Sequence, residues 1–283
     1  ERMKRLIVGV AVLLTTLSGM TQQNWCGSDY LLQEYLNESA ENRLAFEEQQ
    51  SIFKAAEELN ASRAEIKFII PVVVHVLYNT CNGNISRSQI DDALRIINED
   101  YGRTNADTIL TRDVFKPVAA DAQIEFRLAR IDPNGNSTDG IVRIQTSAAV
   151  NAGNNVKSLS NWTSSKYLNI WVVETINNFV GGQGTILGYA QFPGQGSWNS
   201  YGIVIRNDAM GTIGTSNADG RTLTHEVGHC LNLYHTFQDG CGFNCGNSGD
   251  YVCDTPPAIE ATYDCNSSTN TCSNDANGSS AFN

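Results

Sequence analysis

The chain has four histidines. Three fall within His225-Glu226-Val227-Gly228-His229-Cys230-Leu231-Asn232-Leu233-Tyr234-His235. On a helix, residues four apart share a face, one turn above the other, so His225 and His229 present two imidazoles side by side. Glu226 stands next to the first, within reach of a water held between them. His235 comes six residues after His229, and a straight helix would carry it off that face. The chain must therefore turn before it. Asn232 is the expected place, because after Gly it is Asn that best tolerates the left-handed conformation needed to leave a helix sharply. Three His with one open position is a catalytic rather than a structural zinc arrangement. An adjacent glutamate is the base that metal-assisted hydrolysis needs. The bland alternative is a charged surface helix, but the flanking apolar residues also suit a buried one.

His225-Glu226-x-x-His229-x-x-Asn232-x-x-His235 resembles the extended zinc motif of the metzincin metalloproteases, which have Gly where this chain has Asn232. The next stretches, His235-Thr236-Phe237 and Gly249-Asp250-Tyr251-Val252-Cys253-Asp254-Thr255-Pro256-Pro257, resemble the pappalysin family, especially its small secreted bacterial members of the cytophagalysin, ulilysin and mirolysin type. The resemblance runs from about residue 66 to the end, with a weaker echo before it. It implies a secreted zinc endopeptidase made as a latent zymogen. The fold it implies is α/β (α+β), a zincin-like catalytic domain with a twisted mixed sheet and an active-site helix. A loop-rich, disulfide-bonded C-terminal subdomain follows.

Elements that could position this site are legible along the 283 residues. Apolar content of 41% and charged content of 17% are those of a globular protein. A net charge of −11, without a basic cluster, excludes nucleic acid as a partner. Met3-Lys4-Arg5 and the apolar run after it read as a signal peptide over residues 1–20, too short to span a bilayer. Residues 21–63 read as a pro-segment. Leu31, Leu32, Tyr35 and Leu36, then Leu44, Ile52, Phe53, Ala56 and Leu59, suggest one or two amphipathic helices. Nine acids and three bases lie between residues 21 and 65, more than half the net charge of the chain. An ordinary helical extension is the competing reading. Ser62–Arg63 is the expected processing point, in a short polar stretch.

The catalytic subdomain is expected over 64–235. Residues 66–78 read as a central strand, with His75 packed inside it. A helix runs to Tyr101 with Ser86 or Ser88 as its cap. Strands follow at 124–131, 167–174, 185–192 and 201–206, with a turn at 132–135 and Gly-rich loops at 181–184 and 194–196. The zinc-motif helix starts near Arg221. Strands interleaved with helices fit an α/β layered architecture. The resemblance makes Gly188, Tyr189 and Ala190 the strand along which substrate adds as a further strand. An ordinary edge strand reads nearly as well.

Residues 236–283 change character. Five Cys (241, 245, 253, 265 and 272) sit among Gly, Asn and Ser. This indicates disulfides in an oxidising compartment, with a structural zinc as runner-up. Similar proteins pair one Cys of this region with a Cys beyond their Met-turn, and Cys265 is the candidate for that role. The three Met (3, 20 and 210) all precede the zinc motif, so the resemblance places the Met-turn beyond Asn283 and makes this subdomain incomplete. Cys230 reads as a small buried hydrophobe. Asp250, Asp254 and Thr255, with backbone carbonyls between them, offer oxygen ligands for calcium. The expected set is Asp250, Val252 and Thr255, against a rigid Pro-terminated loop. The resemblance also makes Cys26 a zinc ligand of the zymogen, a cysteine switch. A disulfide to Cys81 or an idle thiol is equally open. Expected partners are zinc, calcium and protein or peptide substrates, with a monomer secreted to the exterior and no stable membrane insertion after signal removal. The rival class is a secreted metal-binding protein without turnover, and Glu226 argues against it.

Overall fold

The computed structural model describes residues 26–59, 66–178, 185–215, 220–262 and 271–272. The expected signal peptide, the Ser62–Arg63 bond, the 181–184 loop and Cys265 lie outside them. Two helices come first, α1 (Ser28–Glu38) and α2 (Ala40–Leu59). The Ser39 hydroxyl between them accepts from the Asn42 N–H at 3.0 Å, a side-chain cap for the start of α2. Strand β1 (Phe68–Tyr78) leads to α3 (Arg87–Tyr101), capped by Ser86, whose hydroxyl accepts from the Gln89 N–H. Then come β2 (Ile124–Leu128), β3 (Ile141–Gln145), β4 (Leu168–Val173), β5 (Gly188–Ala190), β6 (Gly202–Arg206) and α4 (Thr222–Cys230).

The strands form one mixed sheet in the order β2-β1-β4-β6-β5. Strand β1 pairs β2 along its first half and β3 along its second, so that Val72 faces Leu128 and Val74 faces Ile141. All pairs are parallel except β5 with β6, which puts the short antiparallel β5 at the sheet's edge. Period-two alternation divides β1 between two cores. Val72, Val74 and Val76 pack with Ile90, Leu94 and Ile97 of α3 and Leu223 and Val227 of α4. Leu77 points to the other face, where it joins Trp171, Val173, Tyr189 and Val204. Burying each such side chain contributes about 1.5–3 kcal/mol. Helices α3 and α4 therefore sit on one face, and the zinc motif is carried beside the edge strand.

Three expectations need correction. Strand β3 has no counterpart among them, because Ile141-Val142-Arg143-Ile144-Gln145 is short and only half-buried, and its apolar pattern is weak. The strand expected at 185–192 is confined to 188–190: Gln191 and Phe192 curl into a turn closed by Gln195, whose side chain accepts from the Phe192 N–H. In α2 the apolar Leu44, Ile52 and Phe53 are exposed, and Phe46 is the residue that packs, with Leu32 and Phe192.

His75 is fully buried. One ring nitrogen lies 3.0 Å from Asn169 Oδ1 and the other 2.9 Å from Ser160 Oγ, and the ring stacks on Trp171. Burial lowers its pKa to about 4, against a raising effect of the Asn169 bond. An unfolded chain takes up this proton below about pH 6.5, while the folded chain resists until about 4. Stability present above pH 6.5 is therefore lost as pH falls through this window, by up to about 3 kcal/mol. Melting curves at pH 7 and 4.5 should show a smaller acid-induced drop for His75→Gln than for wild type, although the variant starts lower. Parallel drops would assign the acid sensitivity to other groups.

Candidate metal centre

Helix α4 is held at both ends. The Arg221 guanidinium before it reaches Asp100 at 3.3 Å and Asp107 at 2.7 Å, and the Thr224 hydroxyl donates to Asp100 at 2.7 Å. Tyr101 OH donates to the Thr224 carbonyl at 3.2 Å, and Tyr201 OH donates to that of Cys230. At the C-terminal end, the Leu233 N–H bonds the Gly228 carbonyl at 2.9 Å and the Asn232 N–H bonds that of His229 at 3.0 Å. This 6→1 and 5→2 pair is a Schellman motif, and Asn232 is its left-handed residue, with φ 71°. The reversal brings His235 back to the helix.

The three imidazoles converge. His229 Nε2 is 3.1 Å from His225 Nε2, which is 3.0 Å from His235 Nε2. Cys26 Sγ lies 3.4 Å from His229 Nε2, and the four ligand atoms all fall within 4.8 Å of one another. A tetrahedron with zinc–nitrogen bonds of normal length has N–N edges of about 3.3 Å, slightly longer with sulfur. The donor set therefore has the size and chemistry for zinc. The remaining ring nitrogens support this. His229 Nδ1 is 2.7 Å from the Leu233 carbonyl, and His235 Nδ1 is 2.5 Å from Asp29 Oδ2. Donation from each Nδ1 leaves the Nε2 lone pair pointing inward. Burial, the largest cause, lowers the pKa of the buried His229 to about 3, so it is neutral and able to bind metal at physiological pH.

Glu226 is fully buried beneath β5. A Cβ added to Gly188 would stand 3.0 Å from Glu226 Cγ, a tight contact, so β5 passes close over this side chain. Glu226 Oε2 accepts from Ser28 Oγ at 3.0 Å and faces Cys26 Sγ at 3.8 Å, while Oε1 has no partner among the described residues. Burial pushes its pKa up to about 8, against the lowering effect of those two contacts.

The first helices lie across this centre. The Gly27 N–H bonds the Gly188 carbonyl at 3.0 Å, and the Ala190 N–H donates to Ser28 Oγ at 2.8 Å, so the segment occupies the outward edge of β5 in parallel sense. Leu32 and Phe46 pack on Phe192, flanked by Tyr35, Leu36 and Tyr234. The Gln50 and Asn232 side-chain amides bond each other in both directions, at 3.1 and 2.8 Å. Sequence reasoning missed Ser28, the Asp29 contact to His235 and the Gln50–Asn232 pair. Nothing in their spacing pairs residues some two hundred positions apart. The proposed Cys26–Cys81 disulfide is not formed: both thiols are free.

Beyond His235, Cys241 pairs with Cys272 and Cys245 with Cys253. Cys230 is buried, as a small apolar residue would be. Asp250, Val252 and Thr255 share one turn. Asp250 Oδ1 accepts from the Val252 N–H at 3.0 Å, and the Val252 carbonyl accepts from Thr255 Oγ1 at 3.3 Å.

The family model described as "Peptidase_M43: Pregnancy-associated plasma protein-A" matches residues 152–282. Promirolysin of Tannerella forsythia, solved as a mutant, is 37% identical with a TM-score of 0.69, over 82% of this chain and 76% of that one. The chain belongs to the pappalysin family of metzincin metalloproteases. Mature mirolysin from the same organism, in complex with a cleaved peptide, is 41% identical with a TM-score of 0.60, over 68% of this chain and 72% of that one. An extracellular metalloprotease of Colletotrichum graminicola is 44% identical over 97 residues, which are 32% of this chain and 34% of that protein. The chain spans between about a third and about three quarters of the length of the curated relatives it matches. Among the described residues, no helix is long and apolar enough to cross a membrane.

Proposed function

We propose that this pappalysin is a secreted zinc endopeptidase, held latent by its own N-terminal segment. The observation that carries this reading is the convergence of three His Nε2 atoms and one Cys Sγ beside a buried glutamate. His225, His229 and His235 would hold the metal, and Cys26 would take the remaining position until the segment is removed. When bound, zinc lowers the pKa of water to about 7 and polarises the scissile carbonyl. Glu226 then takes the proton of the attacking water and returns it to the leaving amine.

The segment blocks three functions with consecutive residues. Cys26 takes the open metal position. Ser28 occupies the Glu226 carboxylate. Gly27 and Ser28 together satisfy the Gly188 carbonyl and the Ala190 N–H, the groups a substrate strand would pair with. The match to promirolysin covers more of this chain than the match to the mature form, 82% against 68%, which supports the zymogen reading. Secretion is supported by relatives named as extracellular. The test is activity on casein or gelatin, absent in the intact chain and gained after processing with zinc bound. Processed, zinc-loaded protein that hydrolyses neither would overturn the reading.

Calcium at Asp250, Val252 and Thr255 remains a separate proposal, supported by oxygen donors gathered in one turn. Millimolar calcium should raise the melting temperature of the zinc-loaded protein, and Asp250→Ala should remove the increment. An increment unchanged in that variant would place any calcium elsewhere.

A further inference from the structure

We propose that Lys157 and Gln191 form a subsite that takes an acidic side chain of the substrate, on the side of β5 turned away from Glu226. This rests on the endopeptidase reading and adds a substrate class to it. Lys157 is only 3% exposed. Its ammonium stands 5.6 Å from the Trp171 ring centroid and 5.4 Å from that of Tyr189, and donates to Gln191 Oε1 at 3.4 Å. No carboxylate lies within ion-pair distance of it among the described residues. Burial lowers its pKa to about 8, so it is still mostly charged at neutral pH. Two ring faces and one amide oxygen compensate a buried ammonium incompletely.

Space for a counter-charge lies beside it. A cavity of about 750 Å³ separates α1 from the end of β5. Its enzyme-side wall includes Asn154, Lys157, Gln191, Gln195 and Ser200, and its only full charge is that of Lys157. This wall is built without help from α1. The Gln191 amide nitrogen donates to the carbonyls of Gln195 and Ser197, and its oxygen accepts from Ser200 Oγ at 3.2 Å. On the opposite wall α1 brings Glu34 and Glu38, but neither pairs Lys157. Glu34 accepts from Tyr30 OH at 3.1 Å, and Glu38 accepts from Asn42 at 3.1 Å.

Strand geometry connects this cavity to a bound peptide. Gly188 approaches Glu226, whereas the Tyr189 side chain lies in the core on the opposite face of the sheet, beneath Lys157. A peptide added along β5 alternates its side chains between these two faces. One points toward Glu226 and the His cluster, and its neighbour points toward Tyr189 and Lys157. In the latent chain Cys26 takes the metal side, and the residue after it is Gly27, which has no side chain to place opposite Lys157. A carboxylate of the substrate would supply the missing charge.

The test uses processed, zinc-loaded enzyme and peptides in which Glu, Gln or Lys is scanned through the positions flanking one scissile bond. At one position Glu should be preferred to Gln by about tenfold or more in kcat/KM. Lys157→Met should bring that ratio close to one, and Lys157→Glu should favour Lys there. The same peptides are also measured by calorimetric binding to processed Glu226→Ala protein, which requires no turnover. Equal cleavage of the Glu and Gln peptides by the wild type and equal binding of them to Glu226→Ala at every position overturns the subsite, whether or not the Lys157 variants fold. A Glu preference that survives in Lys157→Met also overturns it. Binding with that preference but without cleavage by the wild type would retain the subsite and reject the endopeptidase reading.

Discussion

Glu226→Ala should keep its zinc and lose hydrolysis of casein or gelatin by about 10³-fold or more. The three Nε2 donors do not use Glu226: their inner edges are set by the Schellman turn at Asn232 and by the outer bonds of His229 and His235. Metal content by elemental analysis should therefore stay near that of wild type. The proton transfers depend on the carboxylate, and a positioned base contributes about 10²–10⁴-fold. Glu226 is fully buried, and its Oε1 has no partner among the described residues. A carboxyl raised to about 8 by burial is a group that folding disfavours in its charged form. The melting temperature of the variant, measured beside wild type, checks that lost turnover is not lost folding. Glu226→Gln, which keeps the shape but cannot take a proton, should be as inactive as the alanine variant. Activity equal to wild type in either variant would remove Glu226 as the base. Loss of zinc would instead make it part of the ligand scaffold.

The parts of the site that were legible in the sequence are those written in local spacing. His225, Glu226 and His229 needed only the helical period. Asn232 needed only the rule that leaving a helix takes a left-handed residue, and its φ of 71° follows that rule. The core strands β4 and β6 and the second half of β1 were legible because they are buried on both faces and read as continuous apolar runs. Strand β3 was not, since an edge strand with Arg143 and Gln145 turned toward polar surroundings has no such run. The contacts that close the site over long distances were not legible either. Ser28 to Glu226, Asp29 to His235 and Gln50 to Asn232 depend on how two helices dock onto a finished sheet. Their residue types are ordinary ones for a polar helix surface. Lys157 was hidden for the same reason, because a lysine in a polar loop sequence reads as solvated until Trp171 and Tyr189 are seen around it.

Cys26→Ala should show activity before the segment is cut, at least about tenfold above the intact wild-type chain, and should mature faster. The thiol stands 3.4 Å from His229 Nε2 and 3.8 Å from Glu226. Burial first, and the facing Glu226 carboxylate second, push its pKa well above the ordinary thiol value. A thiolate at this position therefore needs a cation beside it, and the three-His centre is where a metal would supply one. Tethering makes the block effective: a Cys held in place by α1 and α2 acts at a high effective concentration, which cleavage abolishes. Each ~1.4 kcal/mol of lost blocking contact opens the site tenfold, and a metal–sulfur bond exceeds that. The variant still keeps the Gly27 and Ser28 bonds to β5, the Asp29–His235 contact and the Gln50–Asn232 pair, so its latency should be reduced rather than lost. Measuring activity and chain length together over time separates the alternatives. If Cys26→Ala stays silent until it is cut, the strand pairing and the Ser28–Glu226 bond hold the zymogen by themselves. If it misfolds, the thiol has a structural role. Early activity in an uncut, folded chain is the result that only a metal-blocking cysteine produces.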